Sequence, residues 1–404
     1  MDTRDVRQGN AGISTSSCPN QPNRRCGVVR RTGLPLFIAV AACLCNSLQA
    51  HATVTAISMQ APALSESTSN VTSPIHFQAT AESDGTITGY VVYIDDQIAY
   101  QNFLRLLDAW VVVAPGNHSV YVKAWDSNGS LLSTPTYEIN ITSFVSPNPP
   151  IGATRKPDIA AGSSSWTVDN NPGVGGKCND GSIGTFQNSS DPNTSNSPDY
   201  PGSGQLFMVT SKCQYDDSLF YRKDTQNPSP YAADTNFLWD FWFYIPSSTP
   251  AGSIQALEFD LFQAVQLSDG VHEFMFGSQC NYATNQWQNW LPQGSGLTWV
   301  NVGLSPCQFP TGAWHHATYF LQRVTPGGYQ KIPASFDPSS DTNTSVRFGT
   351  LTIDGNTMYL GGLANSTIPS PPWSPAIGIQ HQLDSAQAGV TIEEYDDNES
   401  LTTW

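Results

Sequence analysis

The sequence predicts an all-β protein built from two consecutive sandwich domains, and three observations carry that expectation. Short runs in which apolar and polar residues alternate recur along the chain, as in Ile87 to Asp95, His118 to Asp126 and Leu257 to Leu261, the period-two signature of half-buried strands. Turn-forming clusters such as Pro115-Gly116-Asn117 and Ser127-Asn128-Gly129 separate them. No long amphipathic helix pattern is present, and 12% charged with 11% aromatic residues suits an exported β-sandwich better than an α/β enzyme.

In chain order, 404 residues leave room for two folded domains and a leader. Residues 1–33 are polar and end in paired arginines; the apolar run Leu34 to Cys45 is too short to span a bilayer, and Ala50-His51-Ala52 has the small-x-small pattern of a processing site. Residues 1–52 therefore read as a signal peptide with a long n-region, or a shorter one starting near Val28 or Val29. The alternative is a lipoprotein box, Val40-Ala41-Ala42-Cys43, anchoring the protein through Cys43. Either way the mature chain is expected to be secreted or at the cell surface, with no transmembrane segment. Residues 1–52 hold six basic and two acidic residues, so the rest carries 11 basic against 31 acidic. That surface repels phosphate backbones and argues against nucleic-acid binding.

Residues 53–145 show regularly spaced short strands, the pattern of a sandwich, with no cysteine and no acid or base cluster. The Pro115 to Gly129 segment resembles the F–G region of bacterial immunoglobulin-like domains, which implies an immunoglobulin-like module; lacking an acid or base cluster, it reads as a spacer or stalk, the alternative being a second sugar-binding face using Trp110 or Trp125. Residues 146–165, with Pro147-Asn148-Pro149-Pro150 and Gly162-Ser163-Ser164-Ser165, read as an extended linker. The second module, 166–404, alternates polar loops with aromatic strands; Phe237 to Tyr244 is largely apolar on both faces and is expected to be central. It holds the four cysteines that lie after the predicted cleavage point, for which three connectivities are possible. Cys178–Cys213 and Cys280–Cys307 close the smaller loops and are the expected pairs.

Carboxylates, tryptophans and cysteines concentrate in residues 255–323. In Leu257-Glu258-Phe259-Asp260-Leu261 a strand sends the three apolar side chains inward and both acids to the opposite face. His272-Glu273-Phe274-Met275-Phe276 reads as the return strand across Ser268-Asp269-Gly270. Trp287, Trp290 and Trp299 stand among amides, where indole faces could stack on sugar rings, whereas Trp239, Trp242 and Trp314 lie within strand patterns and read as core.

Glu258-Phe259-Asp260-Leu261-Phe262-Gln263 resembles the catalytic strand of jelly-roll glucanases of the concanavalin A-like superfamily, whose pattern is Glu-x-Asp-x-x-Glu or its shorter form without the bulge. Gly312 to Thr318, Leu351 to Asn356 and Tyr395 to Leu401 are similar to segments of laminin-G-like and carbohydrate-binding jelly rolls. The resemblance implies a concanavalin A-like jelly roll over 166–404, with the first and last acids of the strand as nucleophile and acid/base. The last position here is Gln263, and an amide cannot exchange a proton near neutral pH. The expected function is therefore binding of a polysaccharide or surface glycan by Glu258, Asp260, Gln263, Trp287, Trp290 and Trp299, without cleavage. The alternatives are a glycoside hydrolase or polysaccharide lyase using Glu258, Asp260 and Glu273, and a structural or adhesion protein. His315 and His316 point to opposite faces of a strand and cannot chelate one ion. No cofactor is expected; calcium among Glu393, Glu394, Asp396, Asp397 and Glu399 is the one possibility raised, against a solvated acidic edge.

Overall fold

The structure is a computed structural model. It describes residues 53–64, 68–157, 159, 165–170, 183–224, 234–267, 270–293, 296–324, 345–361, 363–364, 367–369 and 376–404. Residues 1–52, the stretch expected to be a signal peptide and containing Cys43, lie outside the described residues, as does Cys178. Among the described residues no helix is long and apolar enough to cross a membrane.

The described elements are all strands. The first module contains β1 (Val54–Ala61), β2 (Ser69–Ser73), β3 (Ile75–Ser83), β4 (Ile87–Ile94), β5 (Gln97–Asn102), β6 (Leu107–Val111), β7 (Gly116–Asp126), β8 (Leu131–Ser133) and β9 (Tyr137–Phe144). They form two sheets, β1-β3-β6 and β2-β9-β7-β4-β5 with β8 beside β7. Alternation along β7 sends Val120, Val122 and Ala124 inward, where they meet Phe77, Tyr90 and Val92 in a core of the module's own.

The stretch read as a linker is partly structured. Its β10 (Thr154–Lys156) pairs with the last strand of the second module, and Ile159 is buried in that module's core. The modules also touch directly: Arg347 donates to the Val112 carbonyl at 2.9 Å, Gln322 donates to the Trp110 carbonyl at 3.1 Å, and Phe144 stacks on Tyr359.

The second module continues with β11 (Trp166–Asp169), β12 (Ile183–Ser190), β13 (Ser203–Thr210), β14 (Asp217–Asp224), β15 (Asn236–Tyr244), β16 (Ile254–Leu267), β17 (Gly270–Asn281), β18 (Gln286–Gln293) and β19 (Gly296–Asn301). It closes with β20 (Trp314–Val324), β21 (Ser345–Ile353), β22 (Asn356–Tyr359), β23 (Leu363–Ala364), β24 (Thr367–Pro369), β25 (Ala376–Ser385) and β26 (Thr391–Thr403). One sheet, the back sheet, runs β12-β13-β26-β15-β20-β21-β22; the front sheet runs β11-β14-β25-β16-β17-β18-β19. The sandwich core lies between them. Strand β15 is central, with Phe237, Trp239, Phe241 and Phe243 wholly buried. Trp314 is buried too, but on the outer parity of β20, where its indole N–H meets the Pro192 carbonyl at 3.3 Å; Trp242 stands half-buried on that face, stacked on His316 at 4.7 Å. The two histidines diverge as expected, His315 to Asp354 and His316 to Asp240.

Of the disulfides, Cys280–Cys307 is formed. Cys213 is disulfide-bonded as well, and its expected partner is among the residues not described.

Candidate functional site

Strands β16 and β17 form the hairpin expected from the sequence, Leu267 pairing with Gly270. Leu257, Phe259 and Leu261 enter the core, which sends Glu258 and Asp260 to the outer face of the front sheet. The neighbouring β25 repeats the alternation: Ile377, Ile379 and Leu383 point inward, and Gln380, Gln382 and Asp384 join the acids outside. Register places Asp260 beside Gln380 and Gly277, and Glu258 beside Gln382 and Gln279.

A hydrogen-bonded row results. Gln382 Nε2 donates to Glu258 Oε1 at 2.7 Å and to Asp384 Oδ1 at 2.9 Å. Gln380 donates to Asp260 Oδ2 at 2.8 Å, and the Ser278 backbone N–H donates to Asp260 Oδ1 at 3.0 Å. Farther across the sheet, Gln279 and Asn281 donate to Gln288, which donates to the exposed Asn301 at 2.7 Å. Glu258 and Asp260 are only 3% and 2% exposed, while Asp384 and Asp217 at one end of the row are half-buried.

The electrostatics follow from crowding acids in a dry place. Burial, then the charges of Asp384, Asp260 and Asp217, raises Glu258 well above the carboxylate range. Burial also lifts Asp260 to about 7, Asp217 to about 7 and Asp384 to about 6. Glu258 and Asp384 are joined through the Gln382 amide, and each raises the cost of ionising the other because like charges share a dry site. One amide nitrogen touches both, which holds them closer than the roughly 6.5–9.5 Å an inverting glycosidase reserves for its water.

Trp290 projects to the same face. A Cβ on Gly277 would lie 2.7 Å from the Trp290 Cβ and 3.5 Å from Asp260 Oδ1, so the missing side chain lets the indole approach the acid. Trp299 pairs with Trp290 across β18 and β19, ring centroids 4.9 Å apart, and both rings are half-buried.

Three sequence expectations are corrected. Trp287 is 1% exposed and belongs to the core, because it falls on the inward parity of β18. Gln263 also points inward, at 1% exposure, and donates to the Asp234 carbonyl; β16 pairs with β17 without a bulge here, so position 263 has the opposite parity to Glu258 and Asp260. Phe262 takes the face position instead. Glu273 does share the outer face, yet it pairs with Ala264, six residues along β17 from the partner of Glu258, or about 20 Å away. It cannot serve the same bond as Glu258. Sequence reasoning missed Asp384, Gln380 and Gln382, although Ile377 to Leu383 shows the same apolar–polar alternation that marked Glu258 and Asp260.

Among the described residues, two acid clusters have metal-ligating composition: the buried Asp191 and Asp397 with the exposed Asp199, and His381, Asp396 and Glu399 inside the sandwich. In the first, burial together with Asp199 and Asp397 pushes Asp191 up to about 8. The solvated acidic edge expected near the C-terminus is not found, since Glu394, Asp396 and Glu399 are fully buried.

No family model matches the sequence, and no curated protein does. Solved structures with some likeness include a carbohydrate-binding module of the β-sandwich superfamily (14% identity, TM-score 0.26, 86% of this chain and 96% of that one). Another is a carbohydrate esterase of Shiga toxin-encoding bacteriophage phi24B (12%, TM-score 0.33, 62% and 99%). A third is the carbohydrate recognition domain of Emp46p (10%, TM-score 0.29, 61% and 94%). With every TM-score below 0.5, the fold and the site stand on the strand topology and side-chain geometry alone.

Proposed function

We propose that this chain is an exported two-module protein, an immunoglobulin-like sandwich followed by a concanavalin A-like jelly roll, that binds a polysaccharide or surface glycan on the outer face of its front sheet. The observation that carries the reading is the Trp290–Trp299 pair standing beside a row of carboxyl and amide groups on one face. An indole face offers apolar area to a sugar ring, while amides and carboxylates take its hydroxyls. The central acids are scaffold: their oxygens are engaged by Gln380, Gln382 and the Ser278 N–H. Contact falls to the rim, where Trp290, Trp299, Asp384, Asp217 and Asn301 reach solvent. Calcium fits the Asp191–Asp199–Asp397 cluster, an all-oxygen donor set in which one oxygen each of Asp191 and Asp397 is buried without a partner.

A second reading, hydrolysis, is favoured by Glu258 and Asp384 standing on one amide nitrogen of Gln382, two neighbouring carboxyls with Asp384 open to solvent. Incubating the protein with β-glucans, galactans and xylans, and measuring retention and reducing ends separately, tests both. Retention without new reducing ends, weakened in Trp290→Ala by about 1–3 kcal/mol by analogy with base stacking on aromatic side chains, is the expected result. Turnover abolished in Glu258→Gln replaces binding with hydrolysis. No retention of any polysaccharide leaves the structural or adhesion role.

A further inference from the structure

The interior of the second sandwich contains a polar cluster that the glycan-binding face does not use. His381 comes from the front sheet on the inward parity of β25; Glu394, Asp396 and Glu399 come from β26 in the back sheet. All four are 0% exposed. Around the imidazole stand Trp166, Phe207, Trp239, Phe241 and Phe259, their ring centroids 5.2–6.0 Å away. Three carboxyls enclosed by aromatic rings are costly unless something compensates their charge.

The hydrogen bonds inside the cluster leave a gap. His381 Nδ1 meets Glu394 Oε1 at 2.8 Å, its Nε2 lies 3.5 Å from Glu399 Oε1, and Trp239 Nε1 donates to that same oxygen at 2.7 Å. Both oxygens of Asp396 and the second oxygens of Glu394 and Glu399 have no partner. Gln205, which pairs with Asp396 across β13 and β26, is also fully buried with both amide atoms unpartnered. One nitrogen of His381, one oxygen of Asp396 and one of Glu399 lie within 4.8 Å of one another.

We propose that His381, Asp396 and Glu399 bind a divalent first-row transition metal that clips the two sheets together, a site separate from the glycan face. An imidazole with two carboxylates suits zinc or its neighbours better than calcium, which takes oxygen throughout. Glu394 is the orienting carboxylate: it holds Nδ1–H and leaves Nε2 for the metal, as carboxylates behind metal-bound histidines do. Trp239 orients Glu399 in the same way. Because the cluster is enclosed, loading belongs to folding, and ionising the carboxyls for the metal releases protons.

The test uses the full chain, unfolded and refolded with zinc sulfate, then dialysed against a chelator. The expected outcome is about one zinc retained per chain, lost in Asp396→Asn and kept in Asp397→Asn, whose altered side chain belongs to the Asp191–Asp199–Asp397 cluster. Zinc lost in Asp397→Asn and kept in Asp396→Asn would place the ion in that cluster and overturn the proposal. So would retention of no zinc by the refolded parent, the cluster then balancing its charge with shared protons. Should Asp396→Asn fail to fold, anomalous diffraction at the zinc edge from the unaltered refolded chain decides: a peak between His381 and Asp396 supports the site, and an empty interior refutes it.

Discussion

Glu273 provides a stability profile that can be worked through. Its carboxyl sits on β17 opposite Ala264, and burial pushes it up to about 7 while Lys223 pulls the other way. In an unfolded chain a glutamate titrates near about 4.3. The folded value is the raised one, so the folded state holds the proton more tightly. The contribution to stability is complete below the unfolded value and is lost as pH rises through about 7. A shift of between two and three units, at about 1.36 kcal/mol each, amounts to about 3 kcal/mol. Glu273→Gln removes this titration and keeps the side chain's shape. Urea denaturation near pH 8 is expected to find the variant more stable than its parent by up to about 3 kcal/mol, with the two within about 0.5 kcal/mol near pH 4. Asp217, Asp260 and Asp384 tilt both profiles in the same direction, so the difference between the proteins is what reports on Glu273. An offset that stays constant between pH 4 and pH 8 refutes the reasoning.

Three further outcomes are expected. Gly277→Ala puts a methyl 2.7 Å from the Trp290 Cβ, and overpacking of this kind costs about 1–3 kcal/mol; a variant as stable as its parent in chemical denaturation would mean that Trp290 does not rest there. Arg347→Ala removes the donor to the Val112 carbonyl at the junction of the modules, a charged hydrogen bond of about 1.5–3 kcal/mol, and unchanged thermal unfolding would contradict that contact. Cys307→Ser opens the Cys280–Cys307 link and is expected to destabilise the second module by about 2–4 kcal/mol, with non-reducing peptide mapping of the parent testing whether Cys213 joins Cys178.

Much of the fold was legible because strand parity is a local property. The alternation in Leu257 to Leu261 assigns Glu258 and Asp260 to one face whatever the sheet order, and Phe237 to Tyr244, largely apolar, does pair on both edges, although Asp240 keeps its outer face polar. Parity failed where a reading jumped strands or relied on a bulge. The motif spacing groups Gln263 with the acids, while unbroken pairing turns it inward. Trp287 and Trp290 looked alike among amides, yet three positions of separation put them on opposite faces. Glu273 was near Glu258 in sequence but not along the ladder, whereas Asp384 comes from a strand more than 100 residues later, so only register could bring it in. The interior acids were hidden for another reason. Glu393 to Glu399 reads as a surface by composition, and nothing in that stretch tells that His381 faces it across the core.

The most direct test of glycan recognition is a crystal of the protein soaked with a retained oligosaccharide. Sugar density lying over the Trp290 and Trp299 indoles, with hydroxyls within reach of Asp384, Asp217 or Asn301, is the predicted result. Sugar bound elsewhere, with the Trp290 face occupied only by water, would contradict it.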